Sequence, residues 1–350
     1  MTSLTDIAEI VIGIDTHVDT HTAAIVQTAT GGVVAEITVP TTPAGYQELL
    51  EAAEEHSPLR VWAIEGTGGH GAGLTHLLAR EDEVVFELDR PRRAMRRNGA
   101  KSDPLDAVRA AREAMARPHH ATPRTGRQRQ ALSVLLATRR SAVEAVTTAQ
   151  RQLFSLAIAA PEPLRAKMRD RKLPEMTQIA SRFRVQPTWD TETATTARML
   201  RDLARRAQVL QAEADEHKKQ IRAIVQSWRA DLLAQKGVGP IVAATILCAW
   251  SHPGRVRNEA AFAMLAGVAP LPANSGKVTT RYRLNRYGDR QLNRALHTIA
   301  LSRQRYDQAT KNYTARRTAE GKTPREIKRC LKRYIARDLY RQLENPPLPT

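Results

Sequence analysis

Cysteine is nearly absent: Cys248 and Cys330 are the two in 350 residues. They form no CxxC pair and no disulfide framework, which predicts a reducing cytoplasmic setting and no structural zinc. Aromatic residues are 4% of the chain, too few for single-strand recognition built on stacked bases. No apolar run approaches the ~20 residues that a membrane span needs. The opening stretch, Met1–Ile10, is polar and acidic, unlike a secretory signal. Acids are also scarce beside bases: 36 Asp and Glu against 54 Lys and Arg give a net charge of +18. Most soluble enzymes of small metabolites have no use for such a field. A polyanion does, because each phosphate neutralised by Lys or Arg releases a condensed counterion. With the membrane excluded, nucleic acid is the partner this charge implies.

The chain is long enough for two or three compact units. Its first 120 residues alternate strand and helix signals. Glu9–Ile14, Thr22–Thr28 and Val33–Val39 are apolar, β-branched runs, with a Gly31-Gly32 turn between the second and third. Pro43 opens a helix, Arg60–Ile64 reads as a buried strand, Leu74–Arg80 as a helix and Val84–Leu88 as another strand. A helix over Pro104–Ala116 follows, begun at Asp103 and stopped before Pro118. Three antiparallel strands followed by helix, strand, helix, strand and helix is the order of a ribonuclease-H-like (RuvC-like) α/β domain. Residues 121–233 read as all helical. From Leu200 through Leu203, Ala207, Leu210, Ala214, His217, Ile221 and Ile224 to Trp228, steps of three and four never break. That is the seam of a coiled coil, here an antiparallel hairpin arm, or alternatively an ordinary bundle core. Residues 234–350 form a third, mainly α-helical region, with a polar loop over Pro270–Tyr287 and two basic helices reaching Leu343.

Four carboxylates stand out in the first region. Asp15 closes the first strand and Glu65 the fourth, where a buried strand end rarely leaves a carboxylate without a partner. Asp103 and Asp106 lie one turn apart on a helix and share a face. In a ribonuclease-H-like sheet the first and fourth strands are neighbours and the last helix packs across them, so all four acids would converge. Such a cluster calls for hard cations, Mg²⁺ or Mn²⁺, and a pair of them can clamp the attacking and leaving oxygens of a phosphodiester. Singly, Asp103 reads equally as a helix cap and Asp106 as part of a solvated face. His17 and His21 lie near Asp15 as conceivable ligands, though as polar residues of a strand and turn they need no such role. The turn Gly66-Thr67-Gly68-Gly69-His70-Gly71 contains GxGxxG between a strand and a helix, the mark of a dinucleotide-binding crossover. A carboxylate at Glu65 beside the pyrophosphate and a preceding hairpin both speak against that alternative.

In the third region, Gly237-Val238-Gly239 sits between two apolar helices. It fits a helix–hairpin–helix whose backbone amides approach a phosphate, or equally a helix C-cap followed by Pro240. Asn274-Ser275-Gly276-Lys277 lies in a loop with Arg281, Arg283 and Arg286. A serine beside glycine can offer its hydroxyl to a phosphate, and nearby cations ease the loss of its proton, although most loop serines are inert. Beyond it Arg, Lys and interleaved Tyr residues are dense enough to track a phosphate backbone.

These motifs occur in the order of a known family. The chain resembles the transposases of bacterial insertion-sequence family one-ten, the DEDD/serine recombinases that use a bridge RNA. The resemblance rests on Gly13-Ile14-Asp15, Ile64-Glu65-Gly66-Thr67-Gly68, Lys101-Ser102-Asp103-Pro104-Leu105-Asp106-Ala107, Gly237-Val238-Gly239, Leu265–Pro270, Asn274-Ser275-Gly276 and Tyr287-Gly288. It implies that Asp15, Glu65, Asp103 and Asp106 bind the metal and that Ser275 forms a phosphoserine link with DNA. It further implies donor and target DNA duplexes and a structured guide RNA as partners, a homodimer or tetramer with sites shared between protomers, and residence at the nucleoid. A glycine-richer turn after Glu65, with Gly69, Gly71 and Gly73, departs from the pattern. The competing expectations are a metal-dependent nuclease like the Holliday-junction resolvases, with Ser275 idle, and a non-catalytic nucleic-acid-binding protein. An actin-like ATPase shares the opening sheet but is disfavoured by the charge and by the lack of a second phosphate loop.

Overall fold

The computed structural model describes residues 4–88, 103–272, 282–285 and 287–346. Within it the chain divides into two compact units, 1–125 and 126–350.

The first unit is a mixed sheet with helices on both faces. Its strands are β1 (Ile10–Thr16), β2 (Thr20–Gln27), β3 (Val33–Pro40), β4 (Arg60–Glu65) and β5 (Val85–Leu88), in spatial order β3-β2-β1-β4-β5. The hairpin strands β1, β2 and β3 pair antiparallel, while β4 runs parallel to both β1 and β5. Side chains alternate across the sheet. Ile10, Ile12 and Ile14 of β1 pack with Trp62 and Ile64 of β4 against α1 (Pro43–His56) and α2 (Ala72–Arg80). Val11, Val61 and Ala63 face the other way, against Ala110, Ala111 and Ala114 of α3 (Asp103–Ala116). Gly13 is what lets α3 lie so close. A Cβ there would stand 2.1 Å from the Ala107 carbonyl oxygen and 2.5 Å from the Ala111 nitrogen.

The second unit is almost wholly helical. Its long helices are α4 (Arg127–Ala159) and α7 (Thr191–Leu233), with α5 (Glu162–Met168) and α6 (Leu173–Ala180) in the proline-broken segment between them. Leu132, near the start of α4, shares a core with Ile221, Val225 and Leu232 near the end of α7. Leu153 and Ala157, near the end of α4, meet Ala197, Leu200 and Ala204 near the start of α7, so the two helices run antiparallel. Along α7 the buried positions Leu200, Ala207, Ala214 and Ile221 fall seven residues apart.

The base of this hairpin is continuous with the core around α8 (Pro240–Trp250), whose Ala243, Ala244, Ile246 and Leu247 are fully buried. Packed around it are α9 (Glu259–Leu265), α10 (Arg290–Tyr306), α11 (Gln308–Ala319) and α12 (Pro324–Glu344). Three basic helices therefore follow the polar loop where the sequence suggested two. Asp307 makes the difference: its backbone closes α10 and its carboxylate accepts from the Thr310 amide at 3.0 Å to begin α11. Two short strands, β6 (Pro270–Pro272) and β7 (Tyr282–Leu284), pair antiparallel and frame the segment between them.

Candidate active site

The acidic site is assembled at the carboxyl end of β1. The last parallel pair between β1 and β4 is Ile14 with Ile64, so Asp15 and Glu65 are the next residues along two neighbouring strands. The alternation that turns Val11 and Gly13 toward α3 carries Asp15 there too, and the phase of Val61 and Ala63 does the same for Glu65. Thr16 donates its hydroxyl to the Glu65 carbonyl at 3.1 Å and fastens the two strand ends together. Because α3 lies directly on Gly13, its first turn brings Asp103 and Asp106 over the same end of the sheet.

The structure brings Asp15, His17 and Asp103 together. One ligand atom from each lies within 4.8 Å of the others, a set able to hold a metal ion. His17 Nε2 stands 3.2 Å from Asp15 Oδ2 and 3.5 Å from Asp103 Oδ1. Glu65 and Asp106 lie outside that triad; Asp106 Oδ1 accepts from Arg109 Nη1 at 2.7 Å. Burial pushes the Asp15 carboxyl above the ordinary carboxylate range; His17 opposes the rise, and the charges of Asp106 and Asp103 add to it. A cation would act in the opposite sense, and the donors present, carboxylate oxygens with one imidazole nitrogen, suit a divalent ion.

The two histidines part company. His17, two residues beyond Asp15, projects to the side of the acids. His21 pairs with Thr16 across the hairpin and is fully buried on the opposite face, stacked on Tyr46 at 5.6 Å between ring centroids. Its Nδ1 donates to the Thr20 carbonyl at 3.0 Å, and burial holds its pKa below the usual histidine range. The glycine turn after β4 is held by Thr67, which donates to Glu87 Oε1 at 3.1 Å; Arg124 donates to the same oxygen at 3.2 Å.

In the second unit, Ser275, Lys277, Arg281 and Arg286 lie outside the described residues; Arg283 is exposed on β7 opposite Leu271. The base of the hairpin is tied to the helices behind it. Asn293 of α10 donates through Nδ2 to the carbonyls of Ala266 at 2.7 Å and Gly267 at 3.3 Å. Lys332 of α12 in turn donates to Asn293 Oδ1 at 2.9 Å, and burial, reinforced by Arg329, lowers its pKa. Sequence reasoning missed this bridge, because contact between side chains 39 residues apart leaves no local pattern. Gly237 has φ +84°, in the left-handed region that favours glycine, and a Cβ there would also crowd Ser302 and Ile299 of α10 at 3.1 to 3.2 Å. Gly239 caps the start of α8 with open space at its Cα.

Two family models match the chain. One, described as a transposase, covers residues 12–157, and the other, described as the Transposase IS116/IS110/IS902 family, covers residues 230–315. Together they take in more than half of the sequence and both candidate sites. The chain belongs to the IS110 transposase family. No curated protein matches it. Membership makes the protein a DNA transposase of an insertion sequence, with DNA as its substrate. The match over 12–157 spans Asp15, Glu65, Asp103 and Asp106; the match over 230–315 spans Gly237, Gly239 and Ser275. Among the described residues, no helix is long and apolar enough to cross a membrane.

Proposed function

We propose that this IS110-family transposase cuts and exchanges DNA strands through a phosphoserine intermediate on Ser275, under the direction of a structured bridge RNA. The observation that carries the acidic half is the approach of α3 to Gly13, which delivers Asp103 to within reach of Asp15 and His17 at a strand end. The sheet order, with three antiparallel strands followed by two parallel ones and α3 lying across β1, supports a ribonuclease-H-like (RuvC-like) domain over residues 1–120. The antiparallel packing of α4 on α7 along a seven-residue repeat supports a coiled-coil arm within 121–233, through which a homodimer or tetramer assembles. Residues 234–350 supply the serine and the basic surface.

Asp15, Glu65, Asp103 and Asp106 would hold Mg²⁺ or Mn²⁺, which supplies neutralisation of phosphate charge and polarisation of its oxygens when bound. The protein's own groups do the rest. Ser275 Oγ attacks phosphorus and loses its proton to solvent; the bond to the deoxyribose oxygen of the departing strand breaks, and that oxygen is protonated. The phosphoserine ester conserves the energy of the broken bond, so an incoming strand hydroxyl can reseal the DNA and release the serine. Lys277, Arg281, Arg283 and Arg286, with the amides of the Gly237–Gly239 turn, track the flanking phosphates. Sequence choice falls to base pairing with the RNA, which lets one protein serve donor and target alike.

The test is a denaturing gel of the full chain incubated with DNA, Mg²⁺ and the RNA transcribed from the element's flank. Wild type should give a protein–DNA adduct that mass spectrometry maps to Ser275, and Ser275→Ala should give neither adduct nor cleavage. Cleavage by both proteins with an adduct in neither would replace this reading with the resolvase-like one.

A further inference from the structure

We infer that His17 is a metal ligand of the acidic site, so that its cation is held by mixed nitrogen and oxygen donors and Mn²⁺ is favoured over Mg²⁺. This rests on the metal-site reading above and adds a residue that the four-carboxylate pattern does not contain. The geometry points to it in three ways. His17 Nε2 lies 3.2 Å from one carboxylate oxygen and 3.5 Å from another, contributed by different elements, β1 and α3. Ligand atoms at right angles on a cation with bonds of ~2.1 Å stand ~3 Å apart, so these separations need to change by only a few tenths of an ångström. The sequence dictates the approach: His17 and Asp15 are two residues apart at the end of a strand and fall on one side of it. Finally, α3 presents a carboxylate to His17: Asp103 Oδ1 is turned to the imidazole, while Asp106 Oδ1 accepts from Arg109.

Imidazole is a softer donor than a carboxylate oxygen. In the ordering of divalent ions, affinity for a nitrogen-containing site rises from Mn²⁺ toward Co²⁺ and Zn²⁺, while Mg²⁺ keeps to oxygen and gives up its waters reluctantly. A site of four carboxylates alone would bind Mg²⁺ and Mn²⁺ through the same atoms. With His17 included, the imidazole discriminates between them. Replacing it with a carboxylate should erase the discrimination while keeping a ligand at that position.

The experiment is pulsed electron paramagnetic resonance of the full chain with Mn²⁺ as the sole added metal, alongside a titration of free Mn²⁺. Wild type should show nitrogen modulation from a directly bound imidazole. His17→Ala should lose that modulation and bind Mn²⁺ on the order of tenfold more weakly, with little change for Mg²⁺ measured by competition. His17→Asp should regain affinity for both ions, still without nitrogen modulation, and should lose the preference for Mn²⁺. Mn²⁺ bound in an Asp15-dependent way but without nitrogen modulation in wild type would overturn the role of His17 and leave the acidic site standing. Failure of wild type to bind Mn²⁺, or binding that Asp15→Asn does not weaken, would take down the metal site and this inference together.

Discussion

The acidic site of the first unit and the surroundings of the β6–β7 pair in the second are built in opposite ways. Asp15, Glu65 and Asp103 sit at the ends of regular elements whose spacing is fixed by a sheet register and by one missing Cβ at Gly13. The second unit relies on side chains that hold the backbone just ahead of β6: Asn293 donates to the Ala266 and Gly267 carbonyls and itself accepts from Lys332. The first is a product of backbone geometry; the second is braced by a hydrogen-bond relay of side chains. The charges differ as well. In the first, burial pushes the Asp15 carboxyl up and the charges of Asp106 and Asp103 add to the rise; in the second, the sequence between β6 and β7 is basic.

Removing one site at a time separates their roles most completely. Asp15→Ala should abolish strand exchange while nucleic-acid binding persists, and Ser275→Ala should do the same by a different route. Mixing the two inactive variants tests whether a site draws its halves from different protomers. Restored cleavage at a fraction of the wild-type rate is expected, and none at all would mean that each protomer uses only its own.

Salt comes next in size. A basic surface contacting about ten phosphates should give a log–log slope near −9 for duplex DNA binding. Filter binding between low and moderate salt measures it, and a slope near zero would mean that the arginines of α10, α11 and α12 form an ordinary solvated face. Asp15→Ala should leave that slope unchanged, since the two charge systems do separate work.

The backbone-built site should also be intolerant of a single methyl. Gly13→Ala touches no reacting atom, yet its Cβ would overlap the Ala107 carbonyl and the Ala111 amide. Either α3 shifts, taking Asp103 with it, or the clash remains at about 1–3 kcal/mol. Denaturant unfolding should show the loss, and cleavage should fall much further than stability does. A fully active, fully stable variant would show that α3 is not what sets the site.

The order of strands and helices in the first unit was legible because alternation and helical periodicity are local. Asp15 and Asp103 could be picked out because a strand end and a first helical turn are recognisable in sequence. The long α7 was legible for the same reason. The role of Gly13 was not, since nothing in the sequence says which helix will cross it. Nor was that of Arg229, buried at a kink in α7 with φ −146° and ψ 63° and donating to Asp231 and to the carbonyls of Gln342 and Leu343, more than a hundred positions away. His17 did carry a signal, its two-residue spacing from Asp15, but that acquires meaning only when α3 brings Asp103 to its other side.

The smallest expected effect belongs to the relay. Lys332→Met keeps the aliphatic stem and removes the donor to Asn293, so the loss is one charge-assisted hydrogen bond of about 1.5–3 kcal/mol, part of it regained by water at this half-buried position. Asn293 would still reach the Ala266 and Gly267 carbonyls, but its amide would no longer be held in one orientation. Cleavage should slow by about tenfold, with binding and Mn²⁺ affinity unchanged, because Lys332 is not one of the proposed metal ligands and the change takes nothing from the fold's core. Asn293→Ala removes both links and should slow cleavage more, and adding Lys332→Met to it should cost nothing further, since the two act in series. Single-turnover cleavage of the three variants decides the matter. Additive losses would mean that Lys332 works on its own, as a phosphate contact, and not through Asn293.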